Sequence, residues 1–425
     1  MSTQDTTPLD VERIRDEFPI LSRRVGGDVT TPGEGPGDET PLVYLDNAAT
    51  SQTPDRVVDT IADYYRSYNA NVHRGIHSLS QEASVAYEEA HDRVAEFVGA
   101  NGREEIVFTP GTTEGMNLVA YAWGLAELGP GDEVVLTEME HHASLVTWQQ
   151  LCKRTGAEVK YIPVDEQGYL DMDAAAEMVT DDTKMVSVVH VSNTLGTVNP
   201  IADLADLAHD HDAYVFVDAA QSVPNRPVDV DDLGADFLAF SGHKMCGPTG
   251  IGALYGREHI LEEMQPYLYG GDMIRKVTYE DSTWEDLPWK FEAGTPNIAG
   301  GIALAEACDY LDEVGLERIE THERMLTAYA YDRLTEFDDV EVYGPPGDDR
   351  GGLVAFNLDG VHAHDLSSIV NDHGVAIRAG DHCTQPLHQK MGVPASVRAS
   401  FYLYNTREEV DVLVDAVDDA RRLFA

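Results

Sequence analysis

The chain has 425 residues, of which 43% are hydrophobic, and this length and composition predict a folded protein of two domains, or of one large α/β domain with an appendage. Its 76 acidic residues outnumber 29 basic residues and give a net charge of -47 at pH 7. Such a chain lacks the basic surface that nucleic acids and anionic membranes attract, so we expect neither partner. Acidic residues spread along the whole chain also predict adaptation to high salt, where screening weakens self-repulsion.

Residues 1–40 predict an N-terminal segment that stands apart from the domains. The opening MSTQDTTPLDVERIRDEF has no apolar stretch typical of a secretion signal, and no apolar run is long enough to span a membrane. Residues 10–21 predict a short amphipathic helix, and the Gly- and Pro-rich run 26–40 predicts an exposed loop. Four cysteines without a CxxC pair indicate reduced thiols, and we expect a cytoplasmic protein.

Residues 41–295 predict a large α/β domain. Near-continuous apolar runs, among them EIVFT, DEVVLTEM, KMVSVVHVSN, YVFVDAA and ADFLAFSG, alternate with helical stretches. Runs of this kind are typical of parallel strands buried on both faces. We therefore expect a mostly parallel sheet covered by helices on both sides.

Residues 296–425 predict a smaller α+β domain. A helical stretch over 299–337 precedes the strand-like runs GGLVAFNLDG, VAIRAG and SVRASFYLYN, with a helix starting at HDLSSIVNDHG. The last helix begins with a capping box formed by Thr406 and Glu409. Its apolar residues fall on one helix face: Val410, Leu413, Val414 and Val417.

Polar residues follow three of the strand-like runs. They are Gly111, Thr112 and Thr113 in TPGTTEG, Asp218 and Gln221 in VDAAQS, and Ser241 to Lys244 in SGHK. A helix that opens with glycine and threonine offers N–H groups and hydroxyls to a phosphate. An aspartate can pair with a protonated ring nitrogen, and a lysine can form a Schiff base. Each motif alone is weak, but together they predict a pyridoxal phosphate site beyond the carboxyl ends of the strands.

The motifs also carry a resemblance to a known family. SGHKMCGPTGIGALYG, with VDAAQS, NVHRGIHSLS, TEMEHHASLVTWQ, FEAGTPN and RAGDHC, closely resembles the SufS-type (group II) cysteine desulfurases. These are aminotransferase class V enzymes of the fold-type I pyridoxal phosphate group. The resemblance covers residues 42–415 and implies a homodimer that converts L-cysteine to L-alanine. It also implies a persulfide on an enzyme cysteine, which supplies sulfur for iron–sulfur cluster assembly.

The resemblance assigns most of the cofactor site. Lys244 matches the lysine that forms the Schiff base, and Asp218 matches the carboxylate that pairs with the pyridinium nitrogen. Gln221 matches the residue that donates to the 3′-oxygen of the cofactor, and Asn193 would lie close to that oxygen. Three residues match phosphate contacts: Thr113, Ser241 and His243. Thr112 lies beside Thr113 in the strand-to-helix junction. Thr295 matches a residue that reaches the phosphate from the other subunit. His141 matches the imidazole that stacks on the ring, and a histidine there can also move protons near neutral pH.

The substrate side involves Arg398, Arg378 and Cys383. Arg398 matches the arginine that clamps the substrate carboxylate with its planar fork, and we expect Arg378 to assist. The alternative for Arg398 is a salt bridge inside the small domain. Cys383 lies in a polar turn near Arg378 and His382, a setting that favours the thiolate, and matches the nucleophile. We expect the other cysteines to be packing residues: Cys152, Cys308 and Cys246, the last where the family usually carries tyrosine.

Two departures from the family concern the approach to Cys383. Asp381 stands where the family mostly has histidine, and its negative charge should disfavour the thiolate and slow persulfide formation. The Gly- and Pro-rich insertion at 26–40 lengthens the approach to the site.

Several histidines near Cys383 could be mistaken for a metal site. The spacing of His362, His364, His373 and His382 with Asp365 fits no standard zinc pattern, so we expect no intrinsic metal. His364 matches a histidine that enters the zinc shell of a SufU-type sulfur acceptor. The alternatives are that His364 belongs only to the start of the following helix, and that the acceptor is a SufBCD-type scaffold.

Other functions stay open from the sequence. The nearest are a selenocysteine lyase and a cysteine-sulfinate desulfinase on the same scaffold, although a sulfinate needs no thiol nucleophile. A transaminase would leave Cys383 without a role. GPTGIG could be a nucleotide-binding loop, but it lacks the GK[ST] ending of a P-loop. A non-catalytic scaffold that kept the cofactor is the remaining alternative.

Overall fold

The computed structural model describes residues 8–25 and 40–424. The loop predicted at 26–40 therefore lies outside the described residues, except for Thr40. The strands are β1 (Arg24–Val25), β2 (Thr40–Pro41), β3 (Val43–Tyr44), β4 (Ile106–Thr109), β5 (Glu133–Thr137), β6 (Glu158–Ile162), β7 (Thr183–Val189), β8 (Tyr214–Asp218), β9 (Phe237–Ser241), β10 (Gly252–Gly256), β11 (Ile274–Val277), β12 (Ser282–Trp284), β13 (Val340–Tyr343), β14 (Leu353–Leu358), β15 (Val375–Ala376), β16 (Arg378–Gly380) and β17 (Ser396–Ser400). The helices are α1 (Val11–Asp16), α2 (Asp55–Asp63), α3 (Ser78–Val98), α4 (Thr112–Val119), α5 (Leu125–Glu127), α6 (His142–Thr155), α7 (Met172–Met178), α8 (Ile201–His209), α9 (Glu258–Glu263), α10 (Ile298–Val314), α11 (Leu316–Thr335), α12 (Ala363–Asp372), α13 (Gln385–Met391) and α14 (Arg407–Phe424).

The large sheet has seven strands in the order β4-β10-β9-β8-β7-β5-β6. The pairs from β9 to β6 are parallel, and β10 is antiparallel to both of its neighbours. Alternate residues of β9 enter opposite cores: Phe237 and Ala239 on one face, Leu238 and Phe240 on the other. The predicted mostly parallel sheet with two covered faces is confirmed, with β10 as the antiparallel exception.

The direction of the strands decides where the site lies. Because β10 runs antiparallel to both β4 and β9, those two strands run the same way. The strands β4, β5, β7, β8 and β9 therefore all end at one edge of the sheet. Loops that follow the carboxyl ends of such strands form the usual ligand crevice of an open α/β sheet.

The second sheet is antiparallel, in the order β13-β14-β17-β16. The single helical stretch expected over 299–337 is wrong, because α10 and α11 are separated at Gly315. This glycine has φ 94°, a backbone conformation that residues with a Cβ rarely adopt. VAIRAG likewise forms two short strands, since β15 pairs with β3 and β16 pairs with β17.

The two ends of the chain pack together. The predicted helix at 10–21 ends at Asp16, because Pro19 holds Phe18 in a non-helical conformation and starts a 3₁₀ turn. Arg15 donates to the carbonyl of Tyr404 at 2.6 Å and to Glu409 at 2.8 Å. The N-terminal helix is thus fastened to the start of α14.

The capping box at the start of α14 is present. The N–H of Glu409 donates to Thr406 Oγ1 at 3.3 Å, and the N–H of Thr406 donates to Glu409 Oε2 at 3.1 Å. The predicted apolar face of α14 lies in the core of the second sheet. Val43 and Leu45 also belong to that core, and the division into domains at 41 and 296 stays a prediction.

Candidate active site

The carboxyl edge of the large sheet opens into a cavity of about 200 Å³ that the second sheet closes from the other side. The candidate site residues on its wall are Thr112, Thr113, His141, Asn193, Asp218, Gln221, Ser241, His243, Lys244, Arg378, Cys383 and Arg398. Residues from 112 to 398 in the chain thus meet around one space. Thr295 is not among them; it is exposed in the loop before α10.

One end of the cavity is suited to a phosphate. Thr112 begins α4, and its N–H donates to Ser241 Oγ at 2.9 Å, while the two hydroxyl oxygens lie 2.8 Å apart. A Cβ on Gly111 would lie 3.0 Å from Ser241 Oγ, so the glycine allows the end of β9 to approach the helix closely. Hydroxyls and N–H groups at the start of a helix bind phosphate well.

Lys244 lies in the 3₁₀ turn that follows β9. The preceding carbonyl, that of His243, accepts hydrogen bonds from Ser51 N at 2.9 Å and Thr50 Oγ1 at 2.8 Å, which fix the turn. The side chain is half-buried along the cavity wall. Removal of the amine from bulk water lowers the pKa of Lys244 to about 8, which the charge of Asp218 opposes and that of Arg398 reinforces.

Asp218 is the last residue of β8 and is buried. Its Oδ1 accepts the N–H of Ala220 at 3.0 Å. Burial raises the pKa of Asp218, and the Ala220 N–H and the Lys244 amine act in the opposite direction. A second cation beside this carboxylate, such as a protonated ring nitrogen, would stabilise its charged form.

Gln221 and His141 have one hydrogen-bonding group occupied by the main chain. Gln221 Nε2 donates to the carbonyl of Ala48 at 2.7 Å. His141 caps α6, and its Nδ1 accepts the N–H of Ala143 at 3.1 Å, which assigns the ring proton to Nε2. Burial, together with a smaller contribution from the nearby Lys244 amine, lowers the pKa of His141 to about 4. The imidazole is therefore neutral near neutral pH.

Arg398 and Arg378 lie directly opposite each other on β17 and β16. Arg398 is buried, donates to the carbonyl of Asn193 at 2.9 Å, and pairs with Asp46 Oδ1 at 3.2 Å. Two like charges facing each other across a ladder are unfavourable unless an anion lies between or beside them. Such a pair at a cavity wall suits a carboxylate.

Cys383 lies in a turn between β16 and α13 that contacts the large sheet. Asn193 Nδ2 donates to the carbonyl of His382 at 2.6 Å, and the N–H of His142 donates to the carbonyl of Cys383 at 2.8 Å. Cys383 is only partly buried, in contrast to Cys152, Cys246 and Cys308. Burial raises the pKa of these three thiols, that of Cys152 to about 11, which fits the expected packing role.

One part of the cavity lining was not predicted from the sequence. Ala48 and Ala49 in LDNAAT line it, and Asp46 in the same run pairs with Arg398. His382, which was considered as a neighbour of Cys383 and as one of the histidines weighed as metal ligands, also lines the cavity. The signal was present, because an aspartate followed by small residues comes directly after the strand-like VYL, as in the other site motifs.

The cavity wall carries polar atoms that lack partners within residues 8–25 and 40–424. They are Asn193 Oδ1, His382 Nδ1 and Arg398 Nε. Buried polar atoms of this kind are costly unless a ligand or water binds them. Pyridoxal phosphate fits the donor set around them, with an amine, a carboxylate, a phosphate cradle and a flat imidazole each in place.

Comparison with known proteins agrees with this assignment. The model of the aminotransferase class-V family matches residues 43–413. The chain belongs to this family. A protein of Haloferax volcanii named cysteine desulfurase is 74% identical over the full length of both chains. A probable cysteine desulfurase of Halobacterium salinarum is 69% identical, also over both full lengths.

Solved structures of this family have the same fold. The apo cysteine desulfurase of Thermococcus onnurineus has a TM-score of 0.90 and 40% identity, covering 99% of this chain and 100% of that chain. The cysteine desulfurase CsdA of Escherichia coli, in its S-sulfonic acid form, has a TM-score of 0.88 and 37% identity, covering 98% and 100%. The chain therefore has the fold-type I architecture of pyridoxal phosphate enzymes, and its cofactor is pyridoxal 5′-phosphate.

In residues 8–25 and 40–424, no group of three or more His, Cys, Asp or Glu side chains could hold a metal ion. Within the same ranges, no helix is both long enough and apolar enough to cross a bilayer.

Proposed function

We propose that this aminotransferase class-V protein is a SufS-type cysteine desulfurase, which converts L-cysteine to L-alanine and holds the sulfur as a persulfide on Cys383. One observation carries the proposal: Cys383, Lys244 and Arg398 line the same cavity. A thiol nucleophile, an amine base and a carboxylate-binding cation thus face one bound amino acid. The names of the close relatives support the same activity.

Binding and proton transfer are assigned to residues on both sides of the cavity. Arg398, assisted by Arg378, holds the substrate carboxylate, and Asp218 keeps the ring nitrogen of the cofactor protonated. Bound pyridoxal phosphate supplies a carbonyl for Schiff-base formation and an electron sink for the substrate Cα. Lys244 takes the proton from Cα, and its pKa of about 8 leaves part of the amine neutral at pH 7.

Cys383 performs the sulfur transfer. Its thiolate attacks the sulfur of bound cysteine, so that an S–S bond forms while the bond between Cβ and sulfur breaks. The electron pair of the broken bond stays with the carbon skeleton of the substrate, and Cβ then takes up a proton. The enzyme gains one sulfur atom and the substrate leaves as alanine, so no external oxidant is needed.

The remaining activities of this scaffold are less well supported. A cysteine-sulfinate desulfinase and a transaminase both leave the cavity position of Cys383 without a use. A selenocysteine lyase would use the same cavity residues, and only a comparison of substrates separates it from a desulfurase.

Mass spectrometry after incubation with L-cysteine tests the proposal. We expect a gain of about 32 Da, one sulfur atom, on the peptide that contains Cys383, together with released alanine. Borohydride treatment of the resting enzyme should attach the cofactor to Lys244. Cys383→Ser should show no gain of sulfur, and borohydride should still attach the cofactor to Lys244. Cys152→Ser is the matched control, in which we expect both the sulfur gain and the borohydride product.

The outcomes separate the alternatives. A borohydride product without sulfur on Cys383 would contradict the desulfurase and leave a desulfinase or transaminase. Faster turnover of selenocysteine than of cysteine, independent of Cys383, would indicate a lyase. Absence of the borohydride product would contradict the role of Lys244.

A homodimer is part of the proposal. Thr295 is exposed and lies away from the cavity of its own chain, which is consistent with contact to the phosphate of a partner subunit. At the phosphate end, an open depression lined by Thr113, Tyr121 and Tyr267 leaves room for a segment of the partner. A sedimentation experiment that gives a monomer with full activity would contradict this arrangement.

The sulfur acceptor is proposed to dock near His364. This histidine is exposed in the first turn of α12, and its N–H donates to Nδ1 of His362 at 3.3 Å. The position suits both alternatives, a ligand for the zinc of a SufU-type acceptor and a plain helix-start residue. The test measures sulfur transfer from the enzyme to a zinc-loaded SufU-type acceptor and to a small thiol. If His364→Ala loses transfer to the acceptor and keeps transfer to the small thiol, His364 acts as the zinc ligand.

A cytoplasmic, salt-adapted protein fits the charge of -47 and the halophilic relatives. Self-repulsion among so many carboxylates is strong in dilute buffer and screened in about 1 M salt, where the Debye length is about 3 Å. We therefore expect circular dichroism to show loss of structure in dilute buffer and a folded protein in molar potassium chloride. Equal unfolding temperatures in both would contradict the adaptation.

A further inference from the structure

The turn that carries Cys383 has an unfavourable backbone. His382 and Cys383 are consecutive residues with φ of 49° and 60°. Residues with a Cβ rarely adopt this left-handed region, because the Cβ approaches the following carbonyl. The surrounding contacts must therefore hold the turn in place.

Neighbouring elements hold the carbonyls of this turn, but its N–H groups are held from within. Asn193 and His142 bind the carbonyls of His382 and Cys383. The N–H of Cys383 donates to Oδ1 of Asp381 at 3.0 Å. The carbonyl of Asp381 also accepts the N–H of Thr384 at 2.8 Å and its hydroxyl at 2.9 Å. Asp381 thus closes the turn with both its side chain and its main chain.

We propose that Asp381 is a positioning residue for Cys383: its carboxylate fixes the N–H of the nucleophile and so aims the thiol at the substrate. The inference rests on the proposed role of Cys383. It also revises the simple expectation from charge, in which Asp381 only slows the reaction. The side chain has two effects of opposite sign, a hydrogen bond that orients the turn and a negative charge that opposes the thiolate.

Charged and titratable groups surround the turn on every side. The elements that pack against it contribute Lys244, His141, His142, Arg378 and Arg398, the turn itself contributes His382, and the helix that follows contributes His388. The cations among them, at the cavity wall, favour the thiolate, and the carboxylate of Asp381 is the charge that opposes them from the turn itself. A neutral acceptor at position 381 should therefore keep the geometry and ease formation of the thiolate.

The variants Asp381→Asn and Asp381→Ala separate the two effects. The asparagine keeps an oxygen acceptor without the charge, and the alanine removes both. We expect single-turnover persulfide formation to slow roughly tenfold in Asp381→Ala, with KM for L-cysteine unchanged. In Asp381→Asn we expect a rate within about threefold of wild type. Asp381→Ser, with a hydroxyl acceptor, should recover part of the rate lost in the alanine variant.

The measurements are quenched-flow mass analysis of Cys383 and stopped-flow absorbance of the cofactor after mixing with L-cysteine. The absorbance change reports substrate binding, which does not involve Cys383, and should be the same in all variants. Asp415→Asn, on the exposed face of α14, is the control for removal of one charge, and cofactor absorbance checks folding.

Equal rates in Asp381→Ala and wild type would overturn the proposal. An equal loss in Asp381→Ala and Asp381→Asn would overturn it too, because the charge rather than the acceptor would then matter. Failure of the proposed function looks different: wild type itself would show the absorbance change and gain no sulfur on Cys383.

Discussion

The two walls of the cavity are built in different ways. The Lys244 wall consists of residues that follow β4, β5, β7, β8 and β9, so the regular spacing of a buried sheet places each side chain. The Cys383 wall consists of a strained turn and two facing arginines on the second sheet. The first wall is held by packing of the strands, and the second by hydrogen bonds that reach across to the first.

The difference matches the chemistry assigned to each wall. A cofactor needs a fixed cradle, which buried strand ends provide because strand pairing and packing on both faces fix their positions. A nucleophile that receives sulfur and then gives it away must be reached by both the substrate and an acceptor. Cys383 is accordingly the cysteine that is only partly buried, in a turn that separate hydrogen bonds hold.

Loss of Lys244 should have the largest effect on the first wall. In Lys244→Ala we expect turnover of L-cysteine to fall by at least about 10³-fold, because the Schiff-base amine and the base at Cα are lost together. Alanine release is the assay, and Lys153→Ala, an exposed lysine on α6, is the control. Activity within tenfold of wild type would mean that another amine serves the cofactor.

The sequence predicted the first wall better than the second. Asp218, Ser241 and Lys244 could be found because local pattern alone marks a strand end, and parallel strands bring their ends together. The placement of Arg398 opposite Arg378 depends on the register of β16 and β17, which local pattern does not specify. Their roles came from the resemblance.

The split of the 299–337 stretch and the contacts of the turn were also beyond local pattern. Gly315 breaks the helix through its backbone conformation, while the helical pattern continues on both sides of it. The left-handed conformation of His382 and Cys383 depends on Asn193 and His142, which are distant in the chain. RAGDHC carries one part of the signal, because an aspartate often accepts the N–H two residues on, but it does not indicate the two distant contacts.

Exchange of Arg398 for lysine probes the second wall. Arg398→Lys keeps the charge and loses the planar fork, so we expect kcat/KM for L-cysteine to fall roughly 10²-fold. Arg378→Lys should have a smaller effect, because this side chain is exposed and the buried fork is left in place. Steady-state alanine release measures both, with Arg422→Lys on the exposed end of α14 as the control. A larger loss in Arg378→Lys would reverse the assignment of the two arginines.

A substitution of Glu292 tests how far a buried carboxylate supports the strand packing behind the first wall. The buried carboxylate accepts the N–H of Phe108 on β4 at 2.7 Å, lies 2.9 Å from Nε2 of His91, and accepts the hydroxyl of Tyr87 at 2.7 Å. Glu292→Gln breaks the pair between Glu292 and His91, and it turns an amide N–H toward groups that are themselves donors. We therefore expect the free energy of unfolding to fall by about 3 kcal/mol. Glu285→Gln, which removes a more exposed partner, is the control, and chemical denaturation measures both. Unchanged stability of Glu292→Gln would show that the strand packing does not depend on this pair.

The smallest expected effect is the pH dependence of the reaction between the Lys244 amine and the cofactor. Only the neutral amine attacks a carbonyl, and burial lowers the pKa of Lys244 to about 8 from its ordinary value of 10.5. The rate at which the cofactor-free protein takes up pyridoxal phosphate should therefore rise about fivefold from pH 7 to pH 8, roughly double again above pH 8, and then level off. An ordinary lysine would continue to gain rate up to about pH 10.

The same shift affects stability in the cofactor-free protein. Between about pH 8 and 10.5 the unfolded chain binds more protons at this amine than the folded chain, so the contribution of this group to stability rises with pH across that window. Asp218 raises the pKa of Lys244, so Asp218→Asn should move the levelling of cofactor uptake to lower pH. An unmoved levelling pH would mean that the carboxylate and the amine do not interact, and the first wall would then lack the charge pair on which its cofactor chemistry depends.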